Sequence, residues 1–106
     1  ILPHPYKRHE PEKIFKYFDL IEIFNSRTKP ELNLKALKLV RKFKLKGVAG
    51  SDAHFPWEIG KGVNLIDAEN EEEIRKKLKK GKIKPIFNGY SFFGKILSSL
   101  ISKVRE

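Results

Sequence analysis

The sequence predicts an α/β fold in which short strands alternate with helices and the strands run parallel. Apolar runs of about five residues alternate with segments of about ten to fifteen residues that carry apolar side chains at helical spacing, which is typical of βαβ units. The chain has 106 residues, the size of one small domain, and contains no cysteine that could form a disulfide framework. We therefore treat residues 1–106 as a single domain or a fragment of one.

Start and stop signals give each element its expected limits. Pro11 and Pro30 suit the first turn of a helix, and Gly47 follows the end of the second helical pattern. Asn70 is a plausible N-cap, with Glu71 to Glu73 in the first turn and Gly81 past the end. The predicted strands are a strand end at 1–3, then 20–24, 47–50, 62–66 and 83–87, and the predicted helices are 11–18, 30–45, 71–80 and 91–106.

Composition limits the classes of function. Lysine and arginine total 23 against 13 acidic residues, a formal net charge of +10, which favours anionic partners such as nucleotides, phosphorylated metabolites or nucleic acid. The abundance of lysine and glutamate without cysteine or methionine is also typical of proteins from hot environments, and this explains much of the lysine excess. No apolar run reaches the roughly 20 residues that cross a bilayer, so we expect a cytoplasmic protein without a membrane partner.

Polar residues follow three of the predicted strands. Because chemistry in parallel α/β folds gathers at the carboxyl ends of the strands, these side chains are expected on one rim. Residues two apart in extended chain point the same way, so Asp52 and His54 can present a carboxylate and an imidazole to one cation. By themselves, Asp52 could instead cap a turn, and His54 and His4 could be ordinary surface or turn residues. The rim residues are His4, Asn25, Ser26, Arg27, Asp52 and His54.

The stretches "HP", "IEIFNSR", "GSDAH" and "EIG", in this order between Leu2 and Gly62, resemble the C-terminal part of PHP-domain proteins, the polymerase and histidinol phosphatase superfamily. The resemblance implies the C-terminal portion of a distorted seven-stranded β/α barrel, similar to a TIM barrel, including the PHP-associated C-terminal region. It also implies a metal-dependent phosphoesterase. His4 matches the histidine of the family's His-Pro motif, and Asp52 and His54 match its late Asp-x-His motif, all three being metal ligands there.

The family's other ligands precede the His-Pro motif, and this chain begins at Ile1. The resemblance therefore implies half of an enzyme, completed by the N-terminal half of the barrel or by a second copy of the chain. The apolar stripe of the last helix, which includes Phe93, Ile96, Leu97, Leu100 and Ile101, fits such a covered face.

Imidazole and carboxylate ligands without thiolate suit zinc, manganese or iron, which would activate water for phosphoester hydrolysis. Lys7, Arg8 and Arg27 are candidates for holding a substrate phosphate, Arg8 and Arg27 as the catalytic pair, although ordinary solvated charge is the alternative. Glu22, within an apolar strand, either orients a ligand histidine or pairs with a neighbour such as Arg27. The expected substrate is a phosphorylated small molecule or nucleotide. The alternative function is a non-catalytic PHP-like scaffold or nucleic-acid-binding subunit.

Overall fold

The computed structural model describes residues 1–8 and 10–105, and within them it leaves out the side chains of residues 8, 92–95, 97, 104 and 105. Strands and helices alternate along most of the chain, as the apolar pattern predicts, which confirms the α/β class. The helices are α1 (Pro5–Arg8), α2 (Pro11–Ile14), α3 (Pro30–Phe43), α4 (Glu71–Lys80) and α5 (Phe92–Arg105), and the strands are β1 (Ile21–Asn25), β2 (Gly47–Gly50), β3 (Gly62–Leu65) and β4 (Lys84–Phe87).

The first sheet is parallel, as expected. Strand β1 pairs with β2, with Ile21 opposite Gly47 and Asn25 opposite Gly50, and Leu2 adds an isolated parallel bridge to Ile21. Helix α3 connects β1 to β2 and packs on β1, which makes this segment a βαβ unit. The three stretches of chain that precede the predicted rim residues therefore run side by side in one direction.

The core lies between this sheet and the helices on it. Apolar side chains from the strand bridge, β1 and α3 meet there, because alternate residues of β1 and one face of α3 are apolar. The buried cluster is Leu2, Ile21, Ile23 and Val40, surrounded by the partly buried Ile14, Phe15, Phe18, Phe24, Leu37 and Leu45.

The second sheet departs from the expectation of parallel strands. Strands β3 and β4 pair antiparallel, with Gly62 opposite Phe87 and Leu65 opposite Lys84. A helix that connects two parallel strands must bury an apolar face on their sheet, but α4 has no buried residue. Helix α4 is instead held by its ends: the Asn70 side chain accepts a hydrogen bond from the Glu73 amide at 2.9 Å, and Gly81 ends the helix in left-handed conformation, as the sequence predicts.

Asparagine side chains take the place of missing strand neighbours. Asn64 of β3 accepts a hydrogen bond from the Ala49 amide through Oδ1 and donates one to the Ala49 carbonyl through Nδ2, both at 2.8 Å. Asn33 of α3 does the same to the backbone of Asn25, with bonds of 3.1 and 3.0 Å. A planar amide presents one acceptor and donors side by side, as the main chain of a neighbouring strand does, so each asparagine satisfies buried backbone groups.

Two smaller features differ from the sequence prediction. The helix expected over 11–18 is one α-helical turn, Pro11–Ile14, followed by a 3₁₀ turn, Phe15–Tyr17. A further α-helical turn forms at Pro5–Arg8 and a 3₁₀ turn at Pro56–Glu58, each opened by a proline whose fixed φ suits a first helical position. The first of these turns directly follows His4, and the second begins two residues after His54.

The described residues form two two-stranded sheets, so a closed barrel stays an expectation for an assembly larger than this chain. On α5, Ile96 and Leu100 are 62% and 54% exposed, while the predicted stripe residues Phe93 and Leu97 lie outside the described side chains. Across residues 1–8 and 10–105, none of the helices combines the length and the apolar character required to cross a membrane.

The substitution Gly62→Ala should separate β2 from β3. The added carbon would lie 2.5 Å from the Gly50 carbonyl oxygen, a backbone atom that cannot move without shifting the strand. We expect the free energy of unfolding, measured with urea, to fall by about 1–3 kcal/mol, the usual range for overpacking. In Gly47→Ala the atoms nearest to the added carbon, at 2.8 to 3.1 Å, belong to the Ile23 side chain and not to backbone, so the loss should be smaller. Equal stability of Gly62→Ala and the unaltered protein would show that β2 and β3 are not packed this closely.

Candidate functional site

The residues predicted to share a rim do follow adjacent parallel segments. His4 comes two residues after the Leu2 bridge, Asn25 is the last residue of β1, and Asp52 comes two residues after β2. Since Asn25 lies opposite Gly50 in the ladder, the ends of β1 and β2 are level. The topology thus places the backbone of all three at the carboxyl edge of the first sheet.

The carboxylate of Glu22 ties these segments together. Its Oε1 accepts hydrogen bonds from the backbone N–H of His4 at 2.9 Å and from Nδ2 of Asn25 at 2.7 Å. The same Asn25 Nδ2 lies 3.4 Å from Oδ2 of Asp52, a long contact. Glu22 therefore fixes the backbone of His4, while its predicted role in orienting a ligand imidazole stays a prediction because the hydrogen bond is not to the ring. The ion pair with Arg27 considered as the other role is made by Glu58 instead.

The backbone turns sharply at both His4 and Asp52. Their φ angles are +26° and +51°, in the left-handed region that side-chain-bearing residues seldom adopt. Such conformations cost of order 1 kcal/mol or more each, and they persist where neighbouring bonds hold them. Here the Glu22 carboxylate holds His4. Strained backbone at two strand ends, each at a candidate ligand, is a feature that clusters at functional sites.

The imidazole of His54 is held in one tautomer. Its Nδ1 lies 2.7 Å from the backbone carbonyl oxygen of Asp52. A carbonyl oxygen can only accept a hydrogen bond, so Nδ1 carries the proton and Nε2 of the neutral ring keeps its lone pair. The His54 side chain is exposed, so this lone pair belongs to an accessible ring. A histidine fixed by a backbone carbonyl at one nitrogen is the usual form of a metal ligand at the other.

The donor types and the His54 tautomer fit a divalent metal, but a full set of ligands is not assembled. In the part of the chain that the structure describes, no three His, Cys, Asp or Glu side chains come together as a group that could hold a metal ion. The assignment of His4, Asp52 and His54 as metal ligands accordingly stays a prediction.

Glu58 holds the loop that carries Asp52 and His54. One oxygen of its fully buried carboxylate, Oε1, accepts hydrogen bonds from the backbone N–H groups of His54 and Phe55, each at 3.2 Å. Nη1 of Arg27 donates to the same oxygen, also at 3.2 Å, and Nη2 of Arg27 donates to Oγ of Ser98 in α5 at 2.8 Å. The guanidinium, predicted to bind a substrate phosphate, is thus engaged in a buried ion pair, with Arg27 only 6% exposed.

The surroundings of Glu58 stabilise its charged form. Burial raises the pKa of its carboxyl group, but the neighbouring Ser91 hydroxyl, the His54 amide, the charge of Arg27 and the Phe55 amide together outweigh burial and leave the pKa below its ordinary value. Glu58 is therefore ionised in the folded protein at neutral pH.

The sequence motifs indicate the loop of Asp52 and His54, but they do not indicate that Glu58 holds it. Glu58 falls within the "EIG" stretch that supports the resemblance, yet nothing local marks it as buried, because its partner Arg27 is 31 residues away. One local signal exists: Glu58 stands three residues after Phe55 and accepts its N–H, which is the carboxylate half of a capping box. The usual serine or threonine is replaced by phenylalanine, so the motif is easily missed. Among the other predicted phosphate contacts, Lys7 is exposed and the Arg8 side chain lies outside the described residues.

Comparison with known proteins identifies the class. The family model described as PHP-associated matches residues 30–83, slightly more than half of the chain, from the start of α3 to the residue before β4. The chain therefore belongs to the PHP-associated family, the C-terminal region of PHP-domain proteins, which confirms the resemblance seen in its motifs. The matched segment contains Asp52, His54 and Glu58.

The comparison with curated proteins finds a relative that matches part of this chain. An uncharacterized protein of Methanocaldococcus jannaschii is 39% identical over 71 residues, which cover 56% of this chain and 30% of that protein. The chain thus spans less than a third of the length of the relative that it matches. No solved structure matches the chain.

The charge of Glu58 should make stability depend on pH in acid. Because its pKa is lower in the folded than in the unfolded protein, the ionised group adds stability above the unfolded value of about 4.3, and this stability is lost as the pH falls through the lower folded value. We expect the difference in unfolding free energy between the unaltered protein and Glu58→Gln to shrink on acidification, measured by urea unfolding between about pH 6 and pH 3. A difference that stays constant over this interval would show that Glu58 has the same pKa in both states.

Proposed function

We propose that this chain supplies the late metal ligands of a PHP-type, metal-dependent phosphoester hydrolase. The observation that carries the proposal is the Asp52–His54 loop: the Asp52 carbonyl accepts a hydrogen bond from His54 Nδ1, which leaves Nε2 as a lone-pair donor two residues along the chain from the Asp52 carboxylate. Membership of the PHP-associated family supports a PHP context for this loop.

In this proposal His4, Asp52 and His54 would hold divalent zinc, manganese or iron, through imidazole nitrogen and carboxylate oxygen. Such a metal, when bound, supplies a more acidic water and charge stabilisation at the phosphoryl oxygens. The chain's own contribution is orientation. Glu22 holds the His4 backbone, Asn25 Nδ2 makes a long contact of 3.4 Å with the Asp52 carboxylate, and the Asp52 carbonyl selects the His54 tautomer. These contacts reduce the freedom that the ligands would lose on binding.

The substrate class follows from charge. A chain of net charge +10 favours anionic substrates, and we propose a phosphorylated small molecule or a nucleotide. Arg8 and Arg27 were predicted to bind the phosphate. For Arg27 this would require giving up buried hydrogen bonds to Glu58 and Ser98, so a phosphate contact by Arg27 is the weaker part of the proposal.

We also propose that the site is completed from outside these 106 residues, by the N-terminal half of the barrel or by a second copy of the chain. Two observations support this. The described residues do not assemble three metal-binding side chains, and the relative that matches is more than three times longer than the matched region. The exposed Ile96, Leu100 and Ile101 of α5 offer an apolar face for such a contact.

The second candidate function is a nucleic-acid-binding subunit without catalysis. It is favoured by helix α3, where the exposed Lys35, Lys38 and Lys42 share one face at helical spacing. Metal content separates the two functions, since a protein that binds only phosphate backbones has no use for a preorganised Asp-x-His loop. Weak metal binding together with strongly salt-dependent binding of nucleic acid would favour this second function.

The proposed activity is tested in the protein that carries this chain. With added manganese it should hydrolyse a chromogenic phosphomonoester or phosphodiester, and His54→Ala should lower kcat/KM by about 100-fold because a ligand is lost. The matched control is His9→Ala, which removes the only histidine not assigned to the site. Unfolding curves establish that both variants are folded. Full activity in a folded His54→Ala protein would refute the assignment.

A further inference from the structure

Two different parts of the fold meet at one carboxylate oxygen, Oε1 of Glu58. From its own loop it receives the N–H groups of His54 and Phe55, and from the end of β1 it receives Nη1 of Arg27. Glu58 is fully buried and the Arg27 side chain is 5% exposed, so these contacts are made away from solvent. A buried carboxylate that accepts three such hydrogen bonds fixes the segments that carry the donors, which here are its own loop and the end of β1.

The same cluster reaches the last helix. Nη2 of Arg27 donates to Oγ of Ser98 at 2.8 Å, and the backbone N–H of Ser91, just before α5, donates to the Ser26 carbonyl at 2.7 Å. The end of β1, the loop after β2 and the helix α5 are thus linked through Arg27 and its sequence neighbour. Exposed salt bridges of this chain, such as Glu72 with Lys76, contribute little to stability by comparison because water screens them.

These contacts act directly on the geometry of His54. Glu58 fixes its backbone N–H, and the carbonyl of Asp52 fixes its ring at Nδ1. Without the hydrogen bond from the His54 N–H to Glu58, the distance from Nδ1 to the Asp52 carbonyl would no longer be fixed. The neutral imidazole would then lack the hydrogen bond that stabilises its Nδ1–H tautomer. The position of Glu58 therefore decides which ring nitrogen is available to a ligand.

We propose that Glu58 is a positioning residue that holds the Asp52–His54 loop in the shape that exposes His54 Nε2, and that Arg27 acts through Glu58, not on the substrate. The inference rests on the proposed function for its metal, but not for its effect on the loop. Arg27 pairs with the buried Glu58 carboxylate, and Glu58 in turn accepts hydrogen bonds from the backbone N–H groups of His54 and Phe55. Oγ of Ser98 accepts a hydrogen bond from the Arg27 guanidinium, so α5 is linked to the site through Arg27.

The test uses two variants of Glu58 and two controls. Glu58→Leu removes every acceptor at similar size, while Glu58→Gln keeps one acceptor oxygen, loses the charge and replaces the second oxygen by an NH2 group. Leu39→Ala, a buried apolar residue on α3, is the control for a general loss of stability, and Glu72→Gln is the control for an exposed carboxylate. If Glu58→Leu does not fold, Glu58→Gln still decides the question, because the charge-dependent part of the effect remains.

The first readout needs no metal. Nitrogen-15 NMR of the His54 ring at alkaline pH, with the imidazole neutral, should show the Nδ1–H tautomer in the unaltered protein and in both controls. In Glu58→Leu we expect a mixture that includes Nε2–H, together with hydrogen exchange at the His54 and Phe55 amides at least about 10-fold faster than in Leu39→Ala. For Glu58→Gln we expect a tautomer mixture and amide exchange rates between those of the unaltered protein and those of Glu58→Leu. An unchanged tautomer and unchanged amide exchange in the Glu58 variants would overturn the proposal.

The second readout is cobalt binding, followed by its visible absorption, in the protein that carries this chain. Glu58→Leu should raise the cobalt dissociation constant about 10- to 100-fold, the usual effect of losing a residue that orients a ligand, whereas Leu39→Ala should change it less than about twofold. An effect no larger than that of Leu39→Ala would overturn the role of Glu58 at the metal. If the unaltered protein binds no cobalt, the proposed function fails, and the tautomer and exchange results alone establish or refute the effect of Glu58 on the loop.

Discussion

The parallel pairing of β1 with β2 is the constraint on which the rest of the structure depends. Because both strands end level, with Asn25 opposite Gly50, the residues that follow them start from the same edge. The Leu2 bridge adds the segment of His4 to this edge. Glu22, inside β1, then joins the segments through hydrogen bonds to His4 and Asn25. A change of register would move these residues apart and turn each side chain to the other face.

Buried polar groups, more than apolar packing, shape the region around the candidate site. The apolar core centres on Leu2, Ile21, Ile23 and Val40, whereas the edge beyond it is built from paired charges and amides. Breaking a buried ion pair by removing one partner typically costs about 3–5 kcal/mol, because the other charge is left without compensation. Arg27 and Glu58 therefore each compensate the buried charge of the other, and a substitution of either should disturb the loop of Asp52 and His54. Asn33 and Asn64 serve the same region by replacing strand neighbours with side-chain amides.

Local sequence signals predicted the local structure well. Proline at the start of α3, the Asn70 cap and the Gly81 terminus all act as expected, because each depends on a few neighbouring residues. The predicted parallel direction of β4 was wrong, because β4 pairs antiparallel with β3 and α4 buries no residue on the sheet; the alternation of strands and helices does not reveal where a helix packs. The grouping of His4, Asn25 and Asp52 at one edge followed from strand topology. The buried hydrogen bonds of Arg27 could not be predicted, because its partners Glu58 and Ser98 are 31 and 71 residues away along the chain.

In the function that we propose, the carboxyl edge of the first sheet presents a metal-binding loop whose donors are Asp52 and His54. The most direct measurement is a crystal structure of the protein that carries this chain, grown with manganese and recorded with anomalous scattering. We expect an anomalous peak within about 2.0–2.3 Å of His54 Nε2 and an Asp52 carboxylate oxygen, with His4 as a further ligand. Well-defined side chains with no peak at this edge, or a metal bound by His54 through Nδ1, would contradict it.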